Sequence, residues 1–143
     1  MSSLLDVNVL IALIDRDHHF HTKARRWFAD HADDGWASCA ITQNGFVRIV
    51  SQSAYPNTMS PSRACAVLRS AATSPYHQFW QDSVSLLDES IFQHDRIYTA
   101  KQVTDTYLLG LAVENNGRLI TFDQRIATSC HVSATENNLI VLN

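Results

Sequence analysis

Between Asp105 and Asp123 the chain reads as one helix and one strand of matched length, and that pairing dictates most of what it can fold into. Residues 106–115 carry Leu108, Leu109, Leu111, Ala112 and Val113 on an apolar flank, Asn115-Asn116-Gly117 breaks the run, and 118–122 reads as a buried strand. Ten helical residues climb roughly 15 Å and five extended ones return roughly 16 Å, so the two aspartates finish at one level. Asp6 closes an earlier apolar strand in LLDVNVLI in the same way. In a parallel sheet the carboxyl ends of the strands share an edge, where open α/β sheets bind their ligands. Asp6, Asp105 and Asp123 are therefore a candidate metal site.

The rest of the chain repeats the alternation. Ser3 to Leu5 reads as a short strand and Val7 to Ile14 as a helix entered through Asp6 and Asn8. Asp17 to His21 is a polar loop. A helix over His21 to His31 stops at Asp33-Asp34-Gly35, and Trp36 to Ala40 is strand-like. Thr42 opens a helix bearing Phe46, Val47, Ile49 and Val50, and Tyr55-Pro56-Asn57 marks a turn. Ser60-Pro61 starts a helix over Ser62 to Ala72, with Pro61 suited to a first turn. Short strands are expected near 77–80 and 84–87, and a final edge strand over Leu139 to Leu142. Strands alternating with helices predict an α/β fold, a mostly parallel sheet with helices on both faces. The length of 143 residues suits one domain over 1–143.

Composition removes several functions. The longest apolar run, Val9 to Ile14, has six residues against the ~20 of a membrane span, and no signal-peptide layout opens the chain. A cytoplasmic location is expected. The three cysteines lack C-x-x-C spacing, so Cys39, Cys65 and Cys130 are expected to be buried free thiols. A net charge of −3 argues against a protein that coats nucleic acid by bulk electrostatics. It does not exclude a nuclease, because nine of the eleven basic residues are arginines and carboxylates around a dication add no repulsive field.

Taken singly, each aspartate is explained as a helix N-cap. Three at one strand edge are not, because crowded carboxylates raise each other's pKa unless a cation lies between them. With no sulfur or imidazole partner at these positions, a hard dication, Mg²⁺ or Mn²⁺, fits best.

The segments LLDVNVLIAL, GWASCAITQNGFVRIV, KQVTDTYLLGLA and GRLITFD together resemble the PIN-domain ribonucleases, specifically the VapC toxins of bacterial type II toxin–antitoxin pairs. The resemblance covers nearly the whole chain, in order. It implies a single PIN-like domain whose parallel sheet of about five strands is wrapped by helices. It further implies Mg²⁺-dependent endoribonuclease activity on structured RNA through metal-activated water, with Mn²⁺ able to substitute. Asp6, Asp105 and Asp123 match family acids, and Asn8 a residue that orients Asp6. The partners implied are an RNA substrate, a VapB-type antitoxin that inserts a basic residue among the acids, and a second copy in a homodimer. One departure stands out: where the family places a glutamate at the start of the helix after the second strand, this chain has Thr42-Gln43-Asn44-Gly45. Gln43 is the preferred equivalent, with Asn44 or Gly45 as alternatives, and an amide offers oxygen without charge.

Other signals are weaker. His18, His19 and His21 lack H-x-x-x-H spacing and read as a solvated loop. Lys23, Arg25, Arg26, Arg48 and Arg125 suit either phosphate or plain solvent. Trp27, Phe28, Trp36, Phe46 and Trp80 read as core or dimer interface. A competing reading is a PIN-fold module that binds RNA or protein without cutting. A phosphotransfer domain fits less well, because the second position of a D-x-D opening is Asn8.

Overall fold

The computed structural model describes every residue from Met1 to Asn143. Five strands, β1 (Ser3–Leu5), β2 (Trp36–Cys39), β3 (His77–Trp80), β4 (Arg118–Thr121) and β5 (Leu139–Val141), form one sheet in the order β3-β2-β1-β4-β5. Every pairing is parallel. Five α-helices accompany them: α1 (Val7–Ile14), α2 (His21–His31), α3 (Ala40–Val50), α4 (Pro61–Ala71) and α5 (Val103–Glu114). No helix is long and apolar enough to cross a membrane.

Side chains alternate across a strand, so neighbours serve opposite faces of the sheet. Leu4 and Leu119 point to the face covered by α5, where they meet Trp80, Leu108, Leu109 and Leu111. Leu5 and Ile120 point to the other, where α1, α3 and α4 supply Val9, Leu10, Phe46, Val50 and Leu68. Each such apolar side chain taken from water contributes roughly 1.5–3 kcal/mol. The central strands β1 and β4 are buried on both sides, which explains their apolar sequences, whereas edge strand β3 exposes Gln78 and Phe79.

Two of the glycines lie in helices and let a neighbouring side chain close onto the helix backbone. A Cβ on Gly45 would lie 2.7 Å from Val7 Cγ2, so α3 crosses α1 tightly there. One on Gly110 would collide with Phe92 Cζ, so the ring of Phe92 seats directly on α5. That contact anchors the long connection between β3 and α5.

The connection corrects one expectation. No strand forms over 84–87: the Leu87 amide is taken by Ser85 Oγ at 3.2 Å and the Asp88 amide by the Ser85 carbonyl at 3.1 Å. Serine and aspartate side chains offer the backbone local partners in place of a ladder. Val84 is buried as a lone peg, while Leu87 is 82% exposed. Of the three free cysteines, Cys39 and Cys130 are buried as expected, whereas Cys65 is exposed on α4. Two boundaries shift as well. The last helix starts at Val103, which puts Asp105 inside its first turn, and α3 starts at Ala40, directly after β2.

Candidate metal centre at the strand edge

β1 connects to β2 on one side of the sheet, while β4 lies on the other side of β1, so the strand order reverses between β1 and β4. Open α/β sheets bind ligands at such a switch point, outside the carboxyl ends of the strands. Leu5 pairs with Ile120, which sets Asp6 level with Thr121 at the mouth of that crevice.

Asp6 is only 6% exposed and is fixed by both neighbours. Its amide donates to the Ile120 carbonyl at 3.0 Å. One carboxylate oxygen accepts the Val7 amide at 2.7 Å as an N-cap of α1, and the other accepts the Thr121 hydroxyl at 2.7 Å. Burial pushes the acid above its ordinary value, against the pull of those two bonds and with added repulsion from Asp123. Asn8 acts on the same knot from the far side. Its Nδ2 donates to Thr121 Oγ1 at 3.4 Å and its Oδ1 accepts the Phe122 amide at 3.3 Å. Asn8 therefore steers Asp6 indirectly, through Thr121.

Asp105 is half-buried in the first turn of α5. It is pushed up to about 7, first by burial, then by the charges of Asp6 and Asp123, and by a hydrogen bond with Asp123. Asp123, just beyond β4, behaves oppositely. Its carboxyl is held below the ordinary value, chiefly because Arg125 donates to it, which outweighs partial burial. Arg125 Nε reaches Oδ1 at 3.0 Å and Nη2 reaches Oδ2 at 2.9 Å, a bidentate fork. The Asp123 amide donates to Thr121 Oγ1 at 3.0 Å. Thr121 thus gives one proton and accepts from two donors, joining two of the acids.

The three acids are gathered at one edge and feel one another's charge. They do not close into a three-ligand cluster, and Asp123 is instead paired with Arg125. The donor set consists of hard carboxylate oxygens, and a carboxyl driven to about 7 by its neighbours is what a dication would relieve.

Gln43 stands apart. Its Nε2 donates to Ser38 Oγ at 3.0 Å, and that hydroxyl pairs with His77 Nε2 at 2.8 Å, at the β2–β3 side of the sheet. It makes no hydrogen bond to the three acids. Gly45 leaves no room for a side chain against Val7, and Asn44 is exposed beside the α3–α4 groove. The charge missing from this chain's helix start is not replaced by a neighbour on α3.

The histidine loop is more ordered than a solvated loop. His18, His19, Phe20 and Phe122 form a row of rings at centroid distances of 4.9, 4.0 and 4.7 Å, flanking Asp123. His21 turns away and donates from Nδ1 to the Ala12 carbonyl at 2.8 Å. Trp36, Phe46 and Trp80 are core residues, and Trp27 and Phe28 pack against the core from α2. Thr121 and the Arg125 fork were not legible as site features. The one signal for Thr121 is a hydroxyl residue inside the otherwise apolar LITF.

Comparisons with known proteins identify the family and the fold. The PIN domain family model matches residues 3–130. The chain is 51% identical over 142 residues to Ribonuclease VapC44 of Mycobacterium tuberculosis, covering 99% of this chain and all of that one. Ribonuclease VapC39 of the same organism is 40% identical over 95% of this chain and 99% of its own. Among solved structures, Mycobacterium tuberculosis VapC20, described as a Sarcin-Ricin loop cleaving toxin, superposes with a TM-score of 0.61 at 11% identity over 92% of this chain and 98% of that one. VapBC2 of Rickettsia felis, bound to a DNA fragment from its promoter, gives 0.57 at 15% identity over 86% and 89%. With a matching family model over most of its length and a full-length relative identical at half of all positions, the chain belongs to the PIN-domain VapC ribonucleases.

Proposed function

We propose that Asp6, Asp105 and Asp123 form the catalytic centre of an endoribonuclease and hold Mg²⁺, with Mn²⁺ able to substitute. The observation that carries this is the convergence of three carboxylates on the β1–β4 switch point, with Asp105 raised to about 7 by the other two. Bound there, a dication supplies a lowered pKa for the attacking water and balances charge gathering on the phosphate oxygens.

The chain's own residues do the rest. Thr121 and Asn8 hold Asp6 in one rotamer, so that carboxylate is oriented before substrate arrives. Asp105 enters from α5, opposite β1. Arg125 occupies both oxygens of Asp123, and this pairing must loosen for Asp123 to become a ligand. Gln43 is bound to Ser38 and adds no charge to the centre.

The biological role that follows is the toxin of a type II pair, blocked by a VapB-type antitoxin whose basic residue pairs with the same acids. Arg125 already makes such a pairing within the chain. Incubating the purified protein with structured and single-stranded RNA, with Mg²⁺, Mn²⁺ or EDTA, tests the nuclease. Cleavage that depends on metal and leaves 5′-phosphate ends is expected. Metal-dependent RNA binding with no cleavage under any condition would favour the non-cutting PIN module instead.

A further inference from the structure

Beside Asp105 lies a cavity of about 340 Å³. Tyr98, Lys101, Gln102, Arg125 and Ile126 line it, and so does Asp105 itself. Three features set this hollow apart. Tyr98 is 71% exposed and takes part in none of the ring pairs of the molecule. An aromatic face left bare beside an acidic centre invites a flat partner. Lys101 places a cation in the same hollow, in a chain whose net charge is −3. The segment is also held in place: Gln102 Oε1 accepts the Tyr98 amide at 2.7 Å and the Thr99 amide at 2.9 Å, which fixes the backbone that carries the ring.

Those properties match one ligand chemistry. Single-stranded RNA is bound by stacking unpaired bases on aromatic rings and by pairing phosphates with cations, and both requirements meet within this hollow. Ile126 and Ala127 add apolar lining for a base. Volume decides the size of the guest: a few hundred cubic ångströms admits one nucleotide and not a duplex. We propose that this cavity is a nucleotide subsite of the RNA path, taking one unpaired base on Tyr98 and an adjacent phosphate at Lys101, next to the nucleotide whose phosphodiester lies at Asp6 and Asp105. The inference rests on the nuclease reading for its register and names a substrate contact which that reading does not need.

The test is equilibrium binding of a short single-stranded RNA of mixed sequence, in Ca²⁺ in place of Mg²⁺, with strand integrity checked on a gel. A companion set of the same strand carries a single abasic residue at each position in turn. Stacking on one aromatic ring is worth roughly 1–3 kcal/mol, so Tyr98→Ala is expected to weaken binding by about five- to 150-fold. Tyr98→Phe keeps the ring and is expected to bind as wild type does. The wild type is expected to lose affinity sharply for one abasic position, and Tyr98→Ala to erase that dependence while leaving the others. Lys101→Ala is expected to lower the slope of log affinity against log salt by about one phosphate contact, roughly 0.7, and the remote Arg63→Ala on α4 to leave it unchanged.

Tyr98→Ala binding like wild type, a loss spread evenly over all abasic strands, or wild type failing to bind the RNA would each overturn the subsite. The two readings fail separately. Metal-dependent cleavage with no effect at Tyr98 removes the subsite and keeps the nuclease; a Tyr98-dependent abasic pattern without cleavage does the reverse.

Discussion

Asp6 and Asp15 cap the two ends of α1, eight residues of helix between them, and their surroundings shift their acidity in opposite directions. Asp6 is buried, receives two hydrogen bonds and faces other carboxylates, and it is raised. Asp15 also feels burial, but hydrogen bonds from Tyr55, Asn57 and the Asp17 amide outweigh it and hold the acid below its ordinary value. Asn57 Nδ2 bridges Asp15 and Asp17 at 2.7 and 2.8 Å, and the Tyr55 hydroxyl donates to the other Asp15 oxygen. The C-terminal end of α1 thus uses a carboxylate as a structural clamp on the turn after α3. The N-terminal end keeps carboxylates crowded at the cost of repulsion, as sites do that trade stability for function. A carboxylate's role is set by who donates to it and who repels it.

The sharpest way to break that contrast is Asp105→Asn. If the N-terminal end of α1 faces a catalytic cluster, losing one charge there should remove several kcal/mol of transition-state stabilisation, a fall in RNA cleavage on the order of 10³-fold. The melting temperature should stay level or rise, because Asp105 no longer opposes Asp6 and Asp123. Undiminished cleavage by a folded variant would place Asp105 outside the chemistry. A large loss of stability would make it a structural cap like Asp15.

Thr121→Val probes the link between the acids with a nearly isosteric change. Without the hydroxyl, the Asp6 carboxylate loses one of its two fixed donors, and the Asp123 amide loses its acceptor. Partners of metal-ligating groups are typically worth 10–100-fold in metal affinity or activity, so cleavage should fall by about that factor and the Mg²⁺ concentration for half activity should rise. Stability should drop by about 1–3 kcal/mol for the buried group left unpaired. Unaltered Mg²⁺ dependence alongside lost stability would reduce Thr121 to a strut.

These two residues also show where sequence reading ends. Asp105 and Asp123 were placed by helix and strand lengths alone, since an 18-residue helix-and-return has one geometry. β1, α1 and β4 were equally legible because each is a continuous apolar run. Thr121 and Asp6 are 115 residues apart, and their pairing follows from the β1–β4 register, which no local pattern announces. The strand expected near 84–87 is absent for a related reason. Val84 and Leu86 alternate as a strand would, yet Ser85 captures the following amides, and the anchor of the segment is Phe92 on Gly110 of a distant helix. The Arg125 fork is local in sequence, but an arginine two residues after an aspartate is common and points nowhere by itself.

At the opposite end of the helix, Asp15→Asn should leave cleavage unchanged. The amide keeps one acceptor but loses the charge that Tyr55 and Asn57 bind, and the site is partly open to solvent, so a loss of about 1 kcal/mol is expected by urea denaturation. A drop in activity with no change in stability would erase the contrast between the two ends.

The smallest effect is the one that isolates the clamp by pH. Asp15 sits below its ordinary value of 3.8, so its bonds favour the ionised form in the folded state. A depressed carboxyl contributes stability that is fully present above the unfolded value and is lost as pH falls through the folded one. Tyr55→Phe removes one donor to that carboxylate and little volume. The gap in melting temperature between wild type and this variant should be widest at pH well above 3.8 and should narrow as the solution is acidified past it, because protonated Asp15 has less use for the tyrosine hydroxyl. The acidic centre at Asp6 and Asp105 is the same in both proteins and cancels in the comparison. A gap that stays constant through the acid range would mean that the Tyr55 hydroxyl serves the neutral acid as well as the carboxylate, and that the Asp15 end of the helix owes nothing to charge.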